Sequence, residues 1–416
     1  MATRFNGGVI GVRNSTTGGG YGLATGRFSS NEVFLGVKDG TWPLWVAPNT
    51  DYLFTWGSSA SFGEGGHNDI VNRSSPTQVG SQVRWATVDA GHDKTMAVKT
   101  NGTLWTWGMG TGGQMANNTN VNRSSPVQIG ALTNWAIPSA GQGPMACIKT
   151  DGTLWMWGDG GEGALGQNLT SGDRSSPVQV GSSTTWTAVA AGGSWCLAVD
   201  AGKLFAWGKN TSSGTDSGIL GLNDLISRSS PTQVGSLTNW AKPATNVRSL
   251  GFSLCTKTDG TLWSWGFAGA DAIYGRTNYG NLGLNDNNPR SSPTQVGSLT
   301  NWALPSAGAG FSICTKTDGT LWTWGRNAQG QLGLGDYTNR SSPVQVGALT
   351  TWVTPTADNK SAACIKTDGT LWTWGYNGQG QLGRGGAANS PVQVGSLTGW
   401  QTVNGGYDHM VAIRRK

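Results

Sequence analysis

The residues best suited to chemistry in this 416-residue chain are three histidines, five cysteines and a scatter of Asp-Gly pairs. His67, His92 and His409 stand at non-equivalent places with no motif around them, as no nucleophile–base or metal pattern would. Cys147, Cys196, Cys255, Cys314 and Cys364 all precede an Asp-Gly or Ala-Gly turn, and none belongs to a C-x-x-C pair. Equivalent positions on stacked sheets lie roughly 10 Å apart, too far for a disulfide. These thiols therefore read as small buried hydrophobes in a reducing compartment. The run "GDGGEG" (158–163) lacks the alternating Asp spacing of a calcium loop. "GGGYG" (18–22) has no Lys-Ser/Thr to make it a phosphate loop. The sequence thus predicts no catalytic residue, no metal, no cofactor and no enzymatic activity.

What repeats is architecture. A Trp-Gly pair closes a short apolar run at Trp56, Trp107, Trp157, Trp207, Trp265, Trp324 and Trp374, with spacings of 51, 50, 50, 58, 59 and 50 residues. An Arg-Ser-Ser-Pro punctuation follows each of the first six, and a lone Trp follows that, from Trp85 to Trp400. A period near 50 marks an array of like units. One unit divides into four strands: Val344–Val346, Trp352–Pro355, Ala362–Lys366 and Thr370–Trp374. Its surest element is the Asp368-Gly369 hairpin, two β-forming runs joined by a two-residue turn. Four short strands make a sheet with two apolar faces, and seven such sheets bury one another when arranged radially as propeller blades. Nineteen of the 22 tryptophans fall on the repeat, so they read as blade packing rather than as platforms for sugars.

The class expected is all-β, a seven-bladed β-propeller over residues 51–416. "DYLFTWG" (51–57) is a fourth strand without a third, and "HMVAIRRK" (409–416) a third without a fourth. Pairing of Met410–Arg414 with Tyr52–Trp56 would close the ring and remove its open edges. Residues 1–50 then form a separate N-terminal docking segment. Within it, Ser29 and Glu32 make a capping box, Val33, Phe34 and Val37 an apolar side, and Gly40 a stop, which predicts one small helix.

The formal charge of +6 arises from the repeat. Without the six punctuation arginines and five turn lysines, 17 basic residues face 22 acidic ones. Symmetry spreads the repeat basics round the disc instead of gathering a phosphate-binding stripe, so no nucleic acid is expected. The N-terminus has no signal-peptide core, and no run approaches the ~20 apolar residues of a membrane span.

"LWTWGRNAQGQLGLGDYTNRSSPVQVG" (321–347), with its W-G-x-N-x-x-G-Q-L-G run, resembles the repeat of the regulator of chromosome condensation family. The resemblance covers about residues 51–416, erodes at "WGMGTGGQMAN" and "WGDGGEGALGQ", and implies a seven-bladed propeller. It does not carry nucleotide-exchange activity, because the basic tail and exchange loops of the nuclear exchange factor have no counterpart here. "RFNGGVIG" and "FSSNEVFLGVKDGTWP" resemble the N-termini of small bacteriophage virion proteins, especially marine ones. That resemblance implies a virion structural protein of capsid, neck or tail, assembled in the host cytoplasm. Phe5, Val9, Ile10, Val33, Phe34, Trp42 and Trp45 would dock it to other virion proteins. The competing expectation is a soluble propeller that caps a partner protein.

Three insertions break the repeat, at 209–218, 242–250 and 267–279. Alternation of strand direction puts all three on one face of adjacent blades. They bring Lys209, Arg248, Phe267, Tyr274, Arg276 and Tyr279, a mix suited to protein interfaces, and they are the expected partner-binding residues. A host surface receptor or glycan is a further candidate occupant of one propeller face.

Overall fold

The computed structural model describes residues 50–211, 217–246, 251–269 and 279–416, together with the backbone of four short N-terminal strands. By contacts the chain divides into 1–50 with Lys416, and 51–415. In the first unit Thr3–Phe5 pairs antiparallel with Gly8–Ile10, and Phe34–Leu35 with Leu44–Trp45. The helix expected from Ser29 to Gly40 lies mostly outside the described residues. At Phe34–Leu35 the backbone is a strand instead, in keeping with the β-forming residues either side of the Gly40 turn signal.

Residues 51–415 form seven four-stranded antiparallel sheets, blades I to VII in order of their tryptophans Trp85 to Trp400. Blade V is typical. Strand a is Trp302–Ala307, b is Phe311–Lys316, c is Leu321–Gly325 and d is Arg340–Gln345. Strands a of successive blades neighbour one another round the axis, so a is innermost and d outermost. Proline is confined accordingly. It occurs in strand a (Pro138, Pro243, Pro305, Pro355), in strand d (Pro343 and its equivalents) and at the first residue of a strand b (Pro144). Each place leaves its missing N–H outside the central ladder.

One boundary differs from the sequence reading. The repeat groups the Ser-Ser-Pro strand with the tryptophan after it, but Arg340–Gln345 pairs with the preceding Leu321–Gly325, with Gly325 opposite Arg340. Periodicity cannot distinguish the two groupings, because both repeat every ~50 residues. Each unit is therefore laced across two blades. Blade VII takes Trp400–Gly405 and His409–Arg415 from the chain end, then Asp51–Gly57 and Arg73–Val83 from its start. The closing register is the expected one: Met410 faces Trp56 and Arg414 faces Tyr52.

The core lies between blades. Phe311, Ile313 and Leu321 of blade V meet Trp352, Cys364 and Trp374 of blade VI. In "LWTWG" the second Trp is fully buried and its indole N–H donates to the c–d loop of the preceding blade, as Trp374 does to the Gln331 carbonyl at 2.9 Å. Gly333 makes this approach possible. Its φ is +71°, and a Cβ there would sit 2.7 Å from the Trp374 indole nitrogen. The first Trp of the pair is half buried, and Lys316 Nζ caps Trp322 at 3.7 Å and Trp302 at 4.5 Å. All five cysteines are free and buried. Among the described residues no helix is long and apolar enough to cross a membrane.

Candidate functional site

Strand alternation sends the a–b and c–d loops to one face and the b–c turns and d–a loops to the other. On the first face the two loop sets touch. Lys209 N–H donates to the Ser194 carbonyl at 2.9 Å, and Phe267 N–H to Gly251 at 2.8 Å. The described ends of the insertions expected at 209–218 (blade III) and at 242–250 and 267–279 (blade IV) therefore lie on that face, while residues 242–245 belong to strand a and 212–216, 247–250 and 270–278 lie outside the described residues.

Their side chains divide. Lys209 is partly exposed. Phe267 and Tyr279 are buried, at 2% and 7% exposure. Tyr279 packs against Gly269 and Gly310, where a Cβ would come within 2.8 Å and 3.1 Å of its atoms, and it stacks under the Arg326 guanidinium. Asn281 donates to the Phe267 carbonyl at 2.7 Å. These two aromatics pin the base of the insertion and present no surface to a partner. Arg248, Tyr274 and Arg276 lie outside the described residues, as do the side chains of Phe5, Val9, Ile10, Val33, Phe34, Trp42 and Trp45.

The same face holds a polar cluster that the sequence did not reveal. His92 and His409, distant in sequence, meet where the closing blade joins blade I. His92 stacks on Tyr407 with centroids 4.1 Å apart and contacts Asp93 through Nδ1 at 2.5 Å. His409 is buried, its Nε2 3.1 Å from the Thr95 hydroxyl, and burial holds its pKa below the usual value. Lys94 is fully buried with its ammonium on the Gln142 carbonyl, and burial lowers its pKa to about 8. The available signal was positional. Lys94 and His409 open strand b in blades I and VII, where blades II to VI place Pro144, Trp195, Phe252, Phe311 and Ser361. His67 lies elsewhere, its ring nitrogen 2.8 Å from the Thr55 hydroxyl and its pKa lowered to about 4 by burial. Among the described residues no three His, Cys, Asp or Glu side chains are arranged to hold a metal.

The axis is a polar-lined channel of about 270 Å³. Its wall is a chain of hydrogen bonds from blade to blade at one position of strand a. Asp89 accepts from Ala140 N–H at 2.7 Å, Ser139 from Ala191, Ser306 from Ala357 and Thr356 from Gly405, and Asn404 donates to the Val88 carbonyl. Desolvation raises the Asp89 carboxyl to about 7. The outer rim is locally neutralised, Arg73, Arg228, Arg290 and Arg340 each pairing with an Asp four residues earlier.

Ring, repeat and loop face together define a seven-bladed propeller built of tandem repeats. The regulator of chromosome condensation (RCC1) repeat matches residues 101–143, 151–199, 318–357 and 368–413, so the chain carries repeats of that family. Residues 1–100 and 200–317 are left unmatched, and the second span contains all three insertions. Human WBSCR16 has the same fold, with 18% identity and a TM-score of 0.75 over 88% of this chain and 99% of its own. Prp20p from Saccharomyces cerevisiae is 18% identical, with a TM-score of 0.73 over 89% of this chain and 93% of its own. No curated protein sequence matches the chain.

Proposed function

We propose that the chain is a non-enzymatic binding platform, and in particular a structural protein of a bacteriophage virion. Residues 1–50 anchor it to other virion proteins, and the loop face of blades III and IV is displayed to a partner or a host surface receptor or glycan. The observation that supports the platform reading is the convergence of all three insertions on one face of two adjacent blades, on a ring that is otherwise closely repetitive. Loops on a rigid scaffold are where recognition is commonly placed. The virion reading rests on the N-terminal resemblance. A soluble, partner-capping propeller is the second reading, favoured by the likeness to Prp20p, whose binding to Gsp1p and histones has been described.

Peptide mass spectrometry of gradient-purified particles from the source separates the two. Presence in fixed ratio to the major capsid protein supports the virion role, and the copy number distinguishes capsid decoration from a neck or tail part. Absence from particles, with the protein free in the lysate, rejects it. Tyr274→Ala with Arg276→Ala is expected to weaken partner binding without lowering Tm, and unchanged binding removes that surface from consideration.

A further inference from the structure

The face opposite the insertions carries its own pattern. Leu132, Leu237, Leu299, Leu349 and Leu397 each stand three residues before a strand-a tryptophan, in equivalent d–a loops, and each is between 43% and 50% exposed. Gln82 and Ser183 replace leucine in blades I and III. The apolar positions are thus uninterrupted from blade IV to blade VII. About half of each leucine is left to solvent, so the loops present a row of apolar groups across four consecutive blades.

Beside four of these leucines sit exposed Asp-Gly turns, Asp151 near Leu132 and, on the continuous arc, Asp259, Asp318 and Asp368. Asn239 Nδ2 donates to Asp259 at 2.9 Å and Asn301 Nδ2 to Asp318 at 3.1 Å, so turn and loop share the face. Asp368 occupies the same place in blade VI, where Thr367 N–H reaches the Thr351 carbonyl at 2.8 Å. Hydroxyl and backbone N–H groups of Thr261, Thr320 and Thr370 hold these carboxyls below their usual pKa, hence ionised at neutral pH. The neighbouring lysines do not present the opposite charge outward: Lys257, Lys316 and Lys366 lie over paired indoles and are at most 8% exposed. The outward pattern is leucine and carboxylate. Beside Leu299 a groove of about 410 Å³ opens between blades IV and V, with Leu284, Val296, Trp302, Trp322 and Pro343 on its apolar side and Asn285, Gln295 and Arg290, the last paired with Asp286, on its polar side.

We propose that this arc over blades IV to VI is a second docking surface, for a protein segment whose apolar side chains are flanked by lysine or arginine. The inter-blade groove receives an apolar side chain, and Asp259, Asp318 and Asp368 receive the flanking cations. A second copy of the same face is disfavoured, since it would oppose carboxylate to carboxylate across the contact. The proposal is independent of the virion reading.

The test uses the full chain and two synthetic helical peptides, one with leucine and lysine faces and one with leucine and glutamate faces, titrated by fluorescence anisotropy. The lysine peptide is expected to bind, more weakly as salt rises, and the glutamate peptide not to bind. Leu299→Ser with Leu349→Ser, and separately Asp259→Asn with Asp318→Asn and Asp368→Asn, should each weaken the lysine peptide about tenfold or more. The leucines are exposed, and Asn keeps an oxygen to accept from Thr261, Thr320 and Thr370, so both variants should stay folded, the triple Asn variant melting slightly lower for loss of the ionised acceptors. No binding, equal binding of both peptides, or affinity unchanged in the variants overturns the proposal. Concentration-dependent self-association in sedimentation, abolished by the leucine pair, also overturns it by assigning the arc to a second copy.

Discussion

Replacing Ile413 by Ala tests whether the ring is latched where the chain ends meet. Ile413 lies opposite Leu53 in the closing blade, and Ile148 lies opposite Leu154 in blade II. Both are 2% exposed, so both substitutions should cost about 2–5 kcal/mol in global stability. They differ in connectivity. Ile148 belongs to a hairpin closed covalently by Asp151-Gly152, whereas His409–Arg415 is joined to Asp51–Gly57 through seven paired positions with no covalent turn. The Asp51–Arg415 ion pair at 2.8 Å adds little, because the Arg415 side chain is 44% exposed. Detachment of the terminal strand is thus a local opening that needs no other blade to unfold. Ile413→Ala should make that opening easier by the whole substitution energy, which at 2 kcal/mol or more is about 30-fold in amide exchange. Hydrogen exchange by mass spectrometry should show the acceleration in peptides covering Asp51–Gly57 and His409–Arg415, with blades II to V unchanged. Ile148→Ala should spare the closing strands, because Ile148 packs with Leu165, Val180 and Trp186, away from blade VII. Uniform acceleration over all seven blades in Ile413→Ala, or none, would refute a local latch.

Two further outcomes follow from buried titratable groups. Asp89 has a folded pKa of about 7 against 3.8 for the free side chain, so between those values the folded state holds a proton that the unfolded state has released. Stability therefore falls as pH rises from about 4 to 7 and levels off above. Its partial exposure to channel water limits the effect to the order of 1–2 kcal/mol. Asp89→Asn should lessen that fall, as read by urea unfolding at pH 5 and pH 8, and an unchanged slope counts against it. Asp358, raised to about 8 by burial, adds a slope of the same sign that should persist. Burial also pushes the Cys147 thiol up to about 12 and raises the other four. All five should react with a disulfide reagent only after denaturation, and a thiol labelled rapidly in the native state contradicts that packing.

The parts legible in the sequence are those fixed by local chemistry or by counting. Asp318-Gly319 and its equivalents name their turn directly. The unpaired half-hairpins at 51–57 and 409–416 specify the closure before any coordinate. The blade boundary was not legible, because a periodic sequence does not say which neighbour Arg340–Gln345 joins. The sequence placed Phe267 and Tyr279 in a loop, and composition there suggests contact with a partner. Both are buried, and Tyr279 fits because Gly310 of the next blade, with Gly269 of its own loop, leaves it space, which no local pattern encodes. His92 and His409 meet only because the ring closes between them.

The loop insertions coincide in one sector with a break in the axial links, and this can be tested at the axis. The hydrogen-bonded links of strand a join blades I to II, II to III, V to VI, VI to VII and VII to I. The residues that would supply the two remaining links are Ala190 and Ala244, whose methyl groups can accept nothing. Blade IV thus lacks the side-chain link at that position on both sides. Blades III and IV also carry the three insertions, and the RCC1 repeat goes unmatched from 200 to 317. Ala244→Ser should restore one link. A hydroxyl there occupies the place of Ser306, whose oxygen accepts from Ala357 N–H at 3.0 Å, and would accept from Ala307. Ala244 is only partly buried beside the channel, so the oxygen can be accommodated without displacing core atoms. The expected gain is about 0.5–1.5 kcal/mol in denaturant unfolding, with exchange slowed in Trp240–Thr245 and Trp302–Ala307. Ser306→Ala should lose a similar amount between blades V and VI. If Ser306→Ala costs nothing, the links do not hold the ring, and the sector owes its divergence to the loops alone.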